Sequence, residues 1–124
     1  MKKLLSIIIF ALALPALAQT TQKDVVFKSV TYSFGKIKLN KPVTTEFNFT
    51  NNTGKPLLIE TATAECGCTD PEYDKKPVLN GKDGIIKITY KADTPGAFSK
   101  KVTVKFFNIP LPVVLTIEGE VLKN

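Results

Sequence analysis

The sequence predicts an all-β protein, a single antiparallel sandwich of about seven strands. Three observations carry that expectation. Apolar and polar residues alternate with period two in several segments, turn-forming residues recur at roughly ten-residue spacing, and no stretch sustains a helical period. A chain of 124 residues has room for one domain and one core.

The first segment predicts a leader and not a strand. Lys2 and Lys3 give a positive start, Leu4 to Leu14 an apolar centre, and Ala16-Leu17-Ala18 a small-x-small cleavage site. Residues 1–18 are therefore read as a signal peptide cut before Gln19, leaving 19–124 as the domain. The apolar run is short for a membrane span and ends at Pro15, and no later stretch is long and uncharged enough to cross a bilayer. With no cysteine at the cleavage site to take a lipid, the mature chain is expected to be free in the periplasm or secreted; it is also expected to be a monomer.

Gln19 to Asp24 is polar and reads as a lead-in. From Val25 the pattern turns to strands, with Val26, Val30, Tyr32 and Phe34 on one parity and Gly35 marking a strand end or a bulge. After the Lys-rich segment Gly35 to Pro42, Val43, Thr45, Phe47 and Phe49 alternate with Thr44, Glu46, Asn48 and Thr50. This is the clearest half-buried strand in the chain.

Asn51 to Pro56 is a turn cluster, and Leu57 to Ala64 the strand after it. Asn48-Phe49-Thr50 and Asn51-Asn52-Thr53 match the N-glycosylation sequon, a match expected by accident in an Asn- and Thr-rich hairpin. Cys66 to Gly84, broken by Pro71, Pro77, Gly81 and Gly84, reads as a long loop with at most a short edge strand at Pro77 to Leu79. Loops of that length are often functional.

Ile86, Ile88 and Tyr90 give an inward face, and Ala92 to Gly96 a turn. Phe98, Val102, Val104 and Phe106 then mark one strand and Val113, Leu115, Ile117 and Val121 the last. Pro110 and Pro112 fall between those two, where a missing amide donor does no damage. The arrangement as a whole predicts an immunoglobulin-like antiparallel β-sandwich of about seven strands.

Composition excludes several functions. All 17 basic residues are lysines; two lie in the leader, and the remaining 15 against 11 acids leave +4 on residues 19–124. Those lysines are scattered along strands, and arginine, the residue suited to bidentate phosphate and guanine contacts, is absent, which argues against a nucleic-acid partner. Exposed lysines on strands instead discourage edge-to-edge aggregation. There is no histidine, so no Ser-His-Asp, Cys-His or two-His metal site can be built, and an enzyme is not expected.

Phe34-Gly35-Lys36-Ile37, Phe47-Asn48-Phe49-Thr50-Asn51, Pro56-Leu57, Cys66-Gly67-Cys68-Thr69, Gly84-Ile85-Ile86 and Ile117-Glu118-Gly119-Glu120-Val121 together carry a resemblance. The chain resembles the bacterial secreted domain of unknown function numbered 1573, which is similar in turn to immunoglobulin-like sandwiches of the ciliary and major-sperm-protein type. The resemblance spans almost the whole mature chain, and the paired cysteines are its most specific part. It implies a fold and a compartment, and no activity, substrate or catalytic residue.

The candidate binding or redox residues are Cys66, Gly67, Cys68 and Thr69. In an exported protein an even cysteine count predicts a disulfide, and the only intramolecular pair is Cys66 with Cys68. Two residues of extended chain span about 7 Å, so closure needs a compressed turn at Gly67, where glycine permits unusual backbone geometry.

Three readings follow. The sulfurs pack as small apolar groups or a local clasp; they form a redox pair, though without the helix N-terminus or histidine that lowers a thiol pKa; or they bind a soft ion such as Cu(I) or Zn(II). Four-ligand zinc lacks two further sulfur or nitrogen ligands here, and Asp70, Glu72 and Asp74 offer only oxygen, or simply a solvated turn. The function expected is a non-enzymatic binding or scaffold module holding another envelope or secreted protein, by its loops or an edge strand. The alternative is redox or copper/zinc handling by Cys66 and Cys68.

Overall fold

The structure is a computed structural model that describes residues 24–123; the expected leader, its cleavage point and Gln19 lie outside the described residues. Eight strands are present among them: β1 (Val25–Phe27), β2 (Thr31–Lys38), β3 (Val43–Asn51), β4 (Ile59–Ala64), β5 (Thr69–Tyr73), β6 (Asp83–Tyr90), β7 (Gly96–Phe106) and β8 (Val113–Leu122). They form two four-stranded sheets, ordered β1-β3-β6-β5 and β2-β8-β7-β4. The fold is the expected immunoglobulin-like sandwich, with one strand more than the round figure of seven.

The alternating segments supply the core. Phe47, Phe49, Ile86, Ile88 and Tyr90 from one sheet face Phe98, Val102, Val104, Phe106, Leu115, Ile117 and Val121 from the other, all buried. Each large side chain so buried contributes about 1.5–3 kcal/mol. Three rings join the layers: Phe49 lies 5.3 Å from Phe27 and 5.4 Å, edge-on, from Phe106. Phe49 pairs across β3 and β6 with Gly84, where a Cβ would overlap the Phe49 ring. The glycine is what lets the ring lie flat against its own sheet.

Three local expectations need correction. Of the four residues expected on one inward parity, Val26, Val30 and Tyr32 are exposed and only Phe34 is half-buried, while Val25 is buried and Phe27 half-buried. The phase changes between Lys28 and Val30, because the chain leaves one sheet there and enters the other. Of the two roles expected for Gly35, a strand end or a bulge, the structure has the bulge: Gly35 lies within β2 with φ 68°, after which Ile37 returns to the core. β2 pairs with β8 in parallel, so the sandwich is not wholly antiparallel.

The stretch Cys66 to Gly84 is not one long loop. Thr69–Tyr73 forms β5, with Pro71 opposite Ile88 on a strand that has only one neighbour, the position where a strand tolerates proline. The short strand expected at Pro77 to Leu79 is a single bridge between Leu57 and Val78.

Asn51, at the end of β3, ties the remaining loop down. It is fully buried. Its Nδ2 donates to the carbonyls of Lys55 (2.7 Å) and Val78 (2.8 Å), and its Oδ1 accepts from the amide (2.9 Å) and hydroxyl (2.7 Å) of Thr53. Its backbone N–H donates to Lys82 O and its carbonyl accepts from Gly81 N–H. With both Nδ2 protons donated, the second sequon has no free acceptor nitrogen in the folded chain.

Truncating that amide strands several buried partners at once. Asn51→Ala is expected to lower the unfolding free energy by about 3 kcal/mol in urea denaturation, whereas Asn52→Ala, at an exposed neighbour, should stay within about 0.5 kcal/mol of the parent.

Candidate functional site

β4 is an edge of one sheet and β5 an edge of the other, and Glu65 to Cys68 carries the chain between them. This is where the sequence placed its candidate residues, and the structure brings all four together. Cys66 and Cys68 are bonded to each other, with Cα atoms 5.3 Å apart, shorter than an extended span of about 7 Å and well within disulfide range.

Gly67 does not adopt a left-handed φ, and a Cβ placed on it would meet nothing within 4 Å. The expectation that glycine is needed there for its backbone freedom is therefore not met. The compressed turn is closed by the disulfide and by Thr69 N–H, which donates to Cys66 O at 3.4 Å.

Both flanks are pinned by backbone bonds. Glu65 N–H donates to Lys101 O (3.2 Å), Lys101 N–H donates back to Glu65 Oε1 (3.0 Å), and Lys91 N–H donates to Cys68 O (2.9 Å). Thr69 is 5% exposed, and its Oγ1 lies 3.7 Å from each sulfur. Disulfide sulfurs carry no proton, so the threonine hydroxyl is the donor in either contact.

Cys66 and Cys68 are each half-buried, and Cys68 packs against the core while Gly67 faces solvent. A three-residue closed loop restrains the unfolded chain little. The chain-entropy relation gives about 1.5 kcal/mol for it, against about 3 kcal/mol for a fifteen-residue loop.

As a disulfide the pair offers no thiolate, so soft-metal binding applies only to the reduced chain. Asp70, Glu72 and Asp74 are all exposed, Asp74 Oδ1 accepts from Lys76 N–H at 2.9 Å, and no cluster of three metal-ligating side chains occurs among the described residues. The three carboxylates behave as a solvated strand and turn.

Two further features were not read from the sequence as site residues, one beside the cysteines and one at the opposite end of the sandwich. Beside Cys68 is a recess of about 150 Å³ lined by Tyr90, Asp93, Pro95, Phe98 and Lys100. Tyr90 and Phe98 stack at 4.0 Å, and burial, with a smaller contribution from Asp93, holds the Tyr90 phenol above its ordinary value. Both aromatics had the spacing of core residues, which they also are.

The second feature is an open groove of about 440 Å³ along the 74–85 segment. Its apolar lining includes Phe49, Ile59, Val78, Leu79 and Ile85, and its rim carries Asp74, Lys76, Lys82 and Asp83. Leu79 is 58% and Ile85 46% exposed. Composition gave one hint, an apolar Pro77-Val78-Leu79 inside a charged loop.

Fold and corner together define the class, an immunoglobulin-like β-sandwich whose sheet-to-sheet crossing holds a Cys-Gly-Cys disulfide. The chain belongs to the family described as "Protein of unknown function (DUF1573)", whose model matches residues 25–121. None of the curated proteins matches.

Among solved structures, the chain is similar to a protein of unknown function from Porphyromonas gingivalis, with a TM-score of 0.67, 11% identity, and coverage of 77% of this chain and 46% of that one. It is also similar to the ASH/PapD-like domain 7 of human CEP192, with a TM-score of 0.66, 7% identity, and coverage of 82% and 87%. A third likeness is to the Vibrio cholerae VesB protease, with a TM-score of 0.61, 12% identity, and coverage of 80% and 32%. The chain thus spans less than half of the Porphyromonas protein and about a third of the protease. At these identities the likeness is one of fold.

The Tyr90 shift sets a pH dependence. Folding favours the neutral phenol, so this stabilisation is complete below the unfolded value of about 10 and is lost as pH rises through the folded value. The urea midpoint should fall above about pH 10 more steeply for the parent than for Tyr90→Phe; parallel profiles would remove Tyr90 as the cause.

Proposed function

We propose that this chain is an exported, non-enzymatic binding module of the cell envelope, periplasmic or secreted after cleavage before Gln19, that holds another protein in the groove of its 74–85 segment. One observation carries the reading: Leu79 and Ile85 are exposed over an apolar floor inside a mixed-charge rim. Exposed apolar surface rimmed by polar groups is characteristic of protein-binding surfaces.

The groove is also held ready. Asn51 bonds to Val78 O, Gly81 N–H and Lys82 O, and Gly54 N–H donates to Asn80 Oδ1 at 2.9 Å, so little ordering remains for a partner to impose.

The alternative route of edge-strand addition has less support. β1 has three residues, β5 contains Pro71, and the Ser29 hydroxyl already engages both the N–H and C=O of Thr31 on β2; on the fourth edge, β4, the Tyr73 hydroxyl donates to Glu60 O at 3.4 Å, which leaves β4 the least protected of the four. The second functional reading, redox or soft-metal handling by Cys66 and Cys68, has the formed disulfide in its favour on the redox side only.

A photo-crosslinking residue at Leu79 should join the chain to a discrete envelope protein, and the same residue at Thr63, on the strand edge away from the groove, should not. Binding of that protein, once purified, should weaken at least about tenfold in the Leu79→Glu/Ile85→Glu variant, the effect of losing two central apolar anchors. Equal crosslinking at both positions, or undiminished binding by the double variant, would sink the proposal.

A further inference from the structure

We infer that Cys66–Cys68 is an exchange-competent disulfide, the oxidised half of a couple that accepts two electrons from a pair of protein thiols, with Cys66 as the sulfur attacked. This inference stands apart from the groove and does not depend on it.

The first argument is energetic. A bond that closes only three residues restrains the unfolded chain little, so it adds little to the stability of the fold. By linkage, folding then adds correspondingly little to the bond's resistance to reduction. A structural disulfide is protected because the fold would be lost with it; this one has no such protection.

The second argument is geometric. The hydrogen bonds made by the N–H groups of Glu65, Lys101, Lys91 and Thr69 go to backbone carbonyls or a carboxylate and involve neither sulfur. They hold the two cysteines at a separation the disulfide can span, so the corner keeps its shape in the reduced form and the bond can close again. Exchange between two states with one backbone needs no conformational work.

The third argument is packing. Cys68 packs against the core, whereas Cys66 does not, and Gly67 between them is exposed with open space where a side chain would stand. Both sulfurs belong to half-buried residues and the recess of about 150 Å³ opens beside Cys68; the assignment of Cys66 as the sulfur attacked rests on its lying outside the core packing that holds Cys68. The departing Cys68 sulfur stays beside the Thr69 hydroxyl, 3.7 Å away, which can donate to the thiolate. Lys100 and Asp93, of opposite charge, both line the recess on that side.

In the first step the partner's thiolate forms a bond to Cys66 Sγ, the Cys66–Cys68 bond breaks, and its electron pair leaves on Cys68, which takes a proton from solvent. In the second, the partner's other thiolate attacks its own sulfur in the mixed disulfide and expels the Cys66 thiolate, which is protonated in turn. The chain gains two electrons and two protons; the partner's dithiol loses the same and becomes a disulfide.

The test uses the mature chain in reduced glutathione that leaves ordinary structural disulfides intact, with thiols counted by alkylation and mass and the fold followed by circular dichroism. More than half of the chain is expected as dithiol with an unchanged spectrum. The variant Cys68→Ser, which retains Cys66, is expected to form a mixed disulfide with oxidised glutathione about tenfold faster than Cys66→Ser, which retains Cys68. A bond that stays oxidised until the chain is denatured would overturn exchange competence. Equal rates in the two single variants would overturn the assignment of Cys66 as the sulfur attacked.

Discussion

The sandwich depends on the chain changing sheets at both of its lateral edges. At one edge Lys28 to Val30 takes the chain from β1 to β2; at the other Glu65 to Cys68 takes it from β4 to β5. Each crossing is short, so each must be held by bonds that fix where the next strand begins. At the second crossing the hydrogen bonds of Glu65 with Lys101 and of Cys68 with Lys91 do this, joining the link to β7 on one side and to the residue after β6 on the other. The disulfide lies within that frame.

The opposite end of the molecule is organised by a different device. Asn51 replaces missing strand ladder with side-chain bonds and turns an irregular segment into a fixed wall, while Gly84 yields its side-chain space to Phe49. The apolar floor of the groove is thus a continuation of the core, with Phe49 contributing to both. A polar residue buried at the end of β3 and a missing side chain on β6 together shape a surface that neither would shape alone.

Much of this was legible in the sequence because it is local. The alternation of Val43 to Phe49 fixed β3 and its inward face, and the same rule found β6, β7 and β8. What was missed depends on partners far along the chain. The phase change between β1 and β2 follows from a change of sheet, and the parallel pairing of β2 follows from where β8 runs, neither of which a local pattern records. β5 was hidden because Pro71 and its acidic neighbours are also turn chemistry; only the free side of an edge strand makes that composition acceptable. At the site, the cysteine count named Cys66 and Cys68 as the one available pair and left their oxidation state open, and their spacing required a compressed turn for closure, but neither showed that Gly67 would lie outside the left-handed region. The recess beside Cys68 and the groove at Leu79 are assembled from distant strands, and the apolar Pro77-Val78-Leu79 inside a charged loop was the one local trace of the groove.

The central claim is that the fold holds the Cys66–Cys68 bond and not the reverse. Amide hydrogen exchange, followed residue by residue in the oxidised and the reduced protein, tests it most directly at Glu65 and Lys91, whose N–H groups donate to Lys101 O and Cys68 O. Protection of both amides should change by less than about tenfold on reduction, the effect of a contribution near 1.5 kcal/mol or below. Loss of protection at these two positions, spreading into β5, would show that the bond holds the crossing together and would contradict the account.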